Sequence, residues 1–248
     1  NRGEGPGSQP HGGTRDGIGE GMRSDPGGTD ARLRLYQLIS PALPVGAFSY
    51  SEGLEVLVQQ GRLRDAATLR QWLEAELDRG ALRPEAAALR QACTGAEPNA
   101  LTRRRQLLDL DGWLLAQREA AEMRAQQRQM GGSLVQLLAD LGWPLPEPVH
   151  LAWPAAFAWS GLCLAIPAAA LVEAYLYGWV ANQLSAAVRL VPLGPTEAQR
   201  LQLQLAATIT RQATLLMAAD PRQLWNGGVG AGLAQLGHGE LYSRLFRS

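Results

Sequence analysis

The sequence predicts an all-α protein, a single-domain bundle of roughly ten helices around a buried, alanine-rich central helix. Three observations carry this expectation. Apolar residues recur at three- and four-residue steps, as in Leu69, Trp72, Leu73 and Leu77, the mark of an amphipathic helix with one buried face. No segment sustains the period-two alternation of a half-buried strand. Glycines and prolines fall mainly between the periodic stretches, where they stop or start helices.

Taken in order, Arg32 to Ile39 is a short helix that stops before Pro41, and Glu52 to Gln60 is a second, closed by Gly61, a favourable C-terminal cap. Asp65 starts a third that ends at Gly80, and Glu85 to Thr94 follows Pro84. Pro98-Asn99 opens a long helix to Met130, with a kink expected at Gly112 and a break at Gly131-Gly132. Ser133 is the expected N-cap of a resumed helix to Leu141, before the proline-rich loop "GWPLPEPVH". Leu151 to Val172 has no charged residue over 22 positions, and eight of them are alanine. Small side chains let helix axes approach toward the low end of the roughly 8–10 Å range. Ala155 to Ala170 is therefore placed at the centre, with Trp72, Trp113 and Trp159 around it. The next segment, "EAYLYGWVANQLSAAVRLV", carries Glu173 and Arg189, which argues for a soluble bundle over a membrane span. Gly194-Pro195-Thr196 starts a helix running to Pro221, "NGGVGAGLAQLGHGE" reads as loose, and "LYSRLFRS" closes the chain.

Residues 1–30 are set apart as a disordered tail, leaving 31–248 as one helical domain. The tail holds ten of the 28 glycines and three prolines, with little apolar beyond Ile18 and Met22. Such a segment cannot bury enough surface to offset ~1–2 kcal/mol of chain entropy per residue. It has neither the apolar core of a signal peptide nor an arginine-rich amphipathic pattern, and Met22 offers an alternative start.

Charge and composition narrow the function. With 23 basic and 23 acidic residues, the chain lacks the basic excess of a phosphate-binding nucleic-acid reader. The run "TRRRQ" at Thr102 to Gln106 reads as a solvated helix face. Every basic residue is arginine, which excludes a Schiff-base lysine and the lysine of a phosphate-binding loop. Cys93 and Cys163 stand 70 residues apart, and the histidines are His11, His150 and His238. No clustered metal ligands result, and Cys163, in an apolar run, reads as an inert thiol. Ser49 and Ser51 miss the spacing of a nucleophile elbow. Glu119 and Glu122 are expected to share a helix with Arg118, Arg124 and Arg128, Arg118–Glu122 forming an i,i+4 pair. No catalytic machinery, metal site or cofactor site is expected.

Binding is left. The segment "SPALPVGAFSYSEGLE", Ser40 to Glu55, exposes backbone at Gly46 and presents Phe48 and Tyr50. The C-terminal octapeptide holds Tyr242, Leu245 and Phe246 with Arg244 and Arg247. Aromatics and arginines are the types most enriched at interface hot spots.

At these residues the sequence resembles the UreF family of urease accessory proteins. The motifs are "SPALPVGAFSYSEGLE", "EMRAQQRQMGGSLVQLLADLG", "AYLYGWVANQLSAAVRLVPLGPTEAQR" and the terminal "YSRLFRS", in one order across Leu33 to Ser248. The resemblance implies an all-helical, non-catalytic, cytoplasmic chaperone that forms a homodimer. It would bind UreD (also called UreH), recruit the GTPase UreG and serve nickel insertion into apo-urease, with no nucleic acid or membrane involved. Nucleotide and metal chemistry would belong to the partners. The family's recruitment surface maps onto Phe48, Arg189 and Arg244, with Tyr50, Tyr242 and Phe246 as secondary positions. Phe48 would pack as a switch, and Arg189 and Arg244 would hold the tail by charge-assisted hydrogen bonds. The sequence departs from the family where Gly239 follows His238 and at Gly132, which predicts a looser tail and counts against metal handling by His238. Two rival classes stand beside this one: a membrane-associated helical protein, on the strength of Leu151 to Val172, and an enzyme using a site around Glu122 or Ser133.

Overall fold

The computed structural model describes residues 29–94, 100–147 and 149–247. The expectations for the N-terminal tail through residue 28 and for the helix start at Pro98-Asn99 lie outside them, as do the side chains of Thr102 to Arg104. Among the described residues there are ten α-helices and no strand. They are α1 Thr29–Leu38, α2 Leu54–Gln59, α3 Ala66–Arg79, α4 Leu82–Thr94, α5 Ala100–Ala116, α6 Ala121–Asp140, α7 Trp153–Cys163, α8 Ala168–Leu190, α9 Pro195–Ala218 and α10 Val229–Gly237.

Local chemistry explains several boundaries. Asp65 caps α3 by accepting the Thr68 N–H at 2.9 Å, while the Thr68 hydroxyl oxygen accepts the Asp65 N–H at 3.2 Å. This reciprocal box satisfies donors that a helix start leaves open. Helix α2 ends where Gly61 takes a left-handed φ of 68°, cheap only for a residue without Cβ. Pro195 sits in the first turn of α9, where its missing N–H costs nothing.

The core forms where small-residue helices cross. On α4, Ala86, Ala87, Ala88 and Leu89 are all buried, and the helix packs against α3, α5, α7, α8 and α9. On α7, Ala155, Ala156, Phe157 and Ala158 are buried in the same way. Leu69, Leu73 and Leu77 of α3 are completely buried, each side chain contributing about 1.5–3 kcal/mol.

Four local expectations are corrected. The uncharged run is two helices rather than one central rod: the chain turns at Leu164–Pro167, with Ala165 at φ 52°. Pro167 cannot donate a helical bond and disfavours helix in the residue before it. The long middle helix breaks between Ala116 and Ala121, not at Gly131-Gly132, so Ser133 lies inside α6 and is no N-cap. Gly131 is an approach point: a Cβ there would collide with the Leu151 carbonyl oxygen. Nor do Arg118 and Glu122 pair, since Arg118 sits in the break and bonds Glu85 instead. Finally, the glycine-rich stretch is helical as α10, because burial of Ala231 and Ala234 against α2 outweighs the low helix propensity of its glycines. No helix among the described residues is long and apolar enough to cross a membrane.

Candidate functional site

Two polar clusters sit in this frame. The first docks the C-terminal tail. Glu55, in the first turn of α2, is 3 % exposed and accepts two backbone donors, Leu245 N–H at 2.7 Å and Phe246 N–H at 3.1 Å. A buried carboxylate that receives two N–H groups is a charge-assisted anchor. Next to it the Arg247 N–H donates to the Ser49 carbonyl oxygen at 2.9 Å, tying tail to connector. The Gln59 amide donates to the Ser243 carbonyl oxygen at 3.3 Å.

His238, fully buried just after α10, joins the same cluster. Its Nδ1 lies 2.8 Å from Glu122 Oε2 and its Nε2 3.4 Å from Glu55 Oε2. That second contact is one of proximity, since Nε2 makes no hydrogen bond of good geometry. Glu122, at the start of α6, also accepts from Arg244 Nη1 at 3.1 Å, and Arg244 Nη2 donates to the Gly239 carbonyl. The break before α6 is what presents Glu122 to the tail. A continuous helix would have put it beside Arg118.

The six residues singled out in the sequence divide. Phe246 is buried, and the Arg189 guanidinium lies 4.6 Å from its ring centroid. Arg189 thus holds the tail by a cation–π contact instead of the expected hydrogen bond. Arg244 does bond as expected. Tyr242 is fully exposed and Phe48, on the single-turn 3-10 helix Ala47–Ser49, is 70 % exposed. Tyr50 turns inward, and its hydroxyl donates to Gln129 Oε1 of α6 at 2.6 Å. The tail therefore brings Arg189, Arg244 and Phe246 together beside the connector. Sequence reasoning missed Glu55, Glu122 and His238 as its anchors, since they come from three elements with no local signature.

It also missed an exposed apolar stripe. Val229, Leu233 and Leu236 stand at four- and three-residue steps on α10, and all three are exposed, as is Trp225 just before the helix. That spacing was readable, but the surrounding glycines concealed it.

The second cluster lies inside the bundle. Arg118 donates from Nε and Nη2 to Glu85 Oε1, at 2.8 and 2.6 Å, and the Tyr175 hydroxyl donates to Glu85 Oε2 at 2.9 Å. Burial pushes the Glu85 carboxyl above its usual range, against the pull of Arg118. The Tyr175 phenol is raised as well, by burial and then by Glu85. Burial lifts the Cys163 thiol to about 11, which leaves little thiolate to act as a nucleophile. Among the described residues no three His, Cys, Asp or Glu side chains are grouped to hold a metal ion.

A family model described as UreF matches residues 63–206. Urease accessory protein UreF of Prochlorococcus marinus (strain MIT 9215) is 38 % identical over 225 residues, covering 88 % of this chain and 99 % of the relative. The protein of that name from Alkalilimnicola ehrlichii is 39 % identical over 226 residues, 88 % and 96 % of the two chains. That from Synechocystis sp. (strain PCC 6803) is 38 % identical over 231 residues, 88 % and 98 %.

Proposed function

We propose, from the premise that the chain belongs to the UreF family of urease accessory proteins, that it is a non-catalytic cytoplasmic assembly factor. It binds UreD (UreH), recruits the GTPase UreG through that complex and so serves nickel insertion into apo-urease, working as a homodimer. The observation that carries this reading is the docked tail. Glu55 and the His238–Glu122–Arg244 set fix the backbone of residues 238–247, while Tyr242 and Phe48 face solvent. An interface whose main chain is already held loses less conformational entropy on binding than a free tail would. The α10 stripe supplies apolar area next in sequence to that tail. Nickel is the cargo of the assembly, and no residue of this chain is assigned to it.

The test is co-expression with UreD, UreG and apo-urease, followed by affinity capture on the chain described here. Deletion of Leu241–Ser248 is expected to leave a folded helical protein that no longer recruits UreG. Recovery of all partners with the truncated chain would refute the reading.

A further inference from the structure

The connector Ser40–Phe48 forms one wall of a cavity of about 190 Å³, room for about six waters at ~30 Å³ each. The tail site leaves this cavity unused. It reaches the surface beside the exposed Phe48, and its inner wall carries Trp153, Phe157, Tyr175 and Trp179.

Its charge is unbalanced. Glu52 and Glu85 both line the cavity against one cation, Arg118, and Arg118 is committed to Glu85. Glu52 receives Gln126 Nε2–H on Oε1 and Trp179 Nε1–H on Oε2, each at 2.9 Å. A carboxylate has about four acceptor positions, so two remain. The Glu52 backbone is held in the left-handed region at φ 52°, a conformation that for a non-glycine residue persists only where the surroundings impose it.

We propose that this cavity binds a compact organic cation of the alkylguanidinium class. Its planar head offers donors in a fixed fork that suits the two free acceptor positions of Glu52. Its positive charge balances the excess carboxylate, and its flat face and alkyl tail suit an indole-lined wall. The connector, glycine-hinged at Gly46 with φ 73°, is the segment the ligand passes.

The experiment is a titration of the full-length, isotope-labelled chain with ethylguanidinium chloride, following the Trp179 indole N–H by NMR. Sodium chloride of equal ionic strength and neutral ethylurea are the controls. A saturable shift is expected with ethylguanidinium, at least tenfold weaker with ethylurea, and at least tenfold weaker in Glu52→Gln. A Trp179 signal unmoved by ethylguanidinium, or moved equally by ethylurea, overturns the proposal. Both of those readings use the unmodified chain, so they stand even if a variant fails to fold.

Discussion

Glu55 holds the tail with one side chain and two acceptor oxygens, and its replacement separates tail docking from folding. Glu55→Ala removes two charge-assisted bonds, each contributing about 1.5–3 kcal/mol. The C-terminal tail is expected to be cleaved by limited proteolysis faster than in the native chain, while far-ultraviolet circular dichroism keeps its helical signal. A protected C-terminus in that variant would show that the remaining contacts, Arg244 with Glu122, Arg247 with Ser49 and Arg189 on Phe246, suffice. Glu76 of α3 gives a pH-dependent counterpart. Burial raises its carboxyl from 4.5 to about 7, opposed by Arg118 and reinforced by Glu52. A carboxylate with a raised folded-state pKa binds its proton more tightly folded than unfolded. The stability it allows is therefore full below pH 4.5 and is lost as pH rises through about 7, by about 3 kcal/mol. Melting temperature should fall between pH 5 and pH 8 in the native chain, and by clearly less in Glu76→Gln. Equal slopes would place the titration elsewhere.

At the scale of elements, α6 offers two adjacent glycines with opposite expectations. A Cβ on Gly131 meets the Leu151 carbonyl and Ala152, whereas one on Gly132 meets nothing within 4 Å. Gly131→Ala should destabilise by about 1–3 kcal/mol, since two backbones must part. Gly132→Ala should stabilise by about 0.5–1 kcal/mol through helix propensity alone. Urea melts of the two variants check the pair, and matching midpoints would contradict the close approach. The same pair shows what the sequence could convey. Composition announces helices, and caps such as Asp65 and Gly61 mark their ends, because those signals act within a few residues. The Gly131-Gly132 pair looks like a breaker but is a contact, and α10 looks like a loop but is a helix. In both cases the deciding energy comes from elements distant in sequence. The tail site follows the same rule. Phe246, Arg189 and Arg244 were legible as binding types, but Glu55 and His238 become anchors only after α2 and α10 are packed together.

Across the whole molecule, what holds the fold and what faces solvent are separate sets of residues. The core is spent on α4, α7 and α8, while the α10 stripe and Tyr242 remain uncovered. Contiguous exposed apolar surface of this kind marks an interaction site more often than an accident. Leu233 is 64 % exposed, so Leu233→Glu removes apolar area from the stripe and adds a charge without creating a cavity. Stability should change by no more than about 0.5 kcal/mol, as for other surface substitutions. Partner capture should suffer far more, since a desolvated, unpaired charge at the centre of an interface costs several kcal/mol. A thermal melt reads the first effect, and binding of purified UreD by calorimetry reads the second. A variant that melts like the native chain and still binds UreD undiminished would clear α10 of any role in assembly. The docked tail would then be left to make that contact alone.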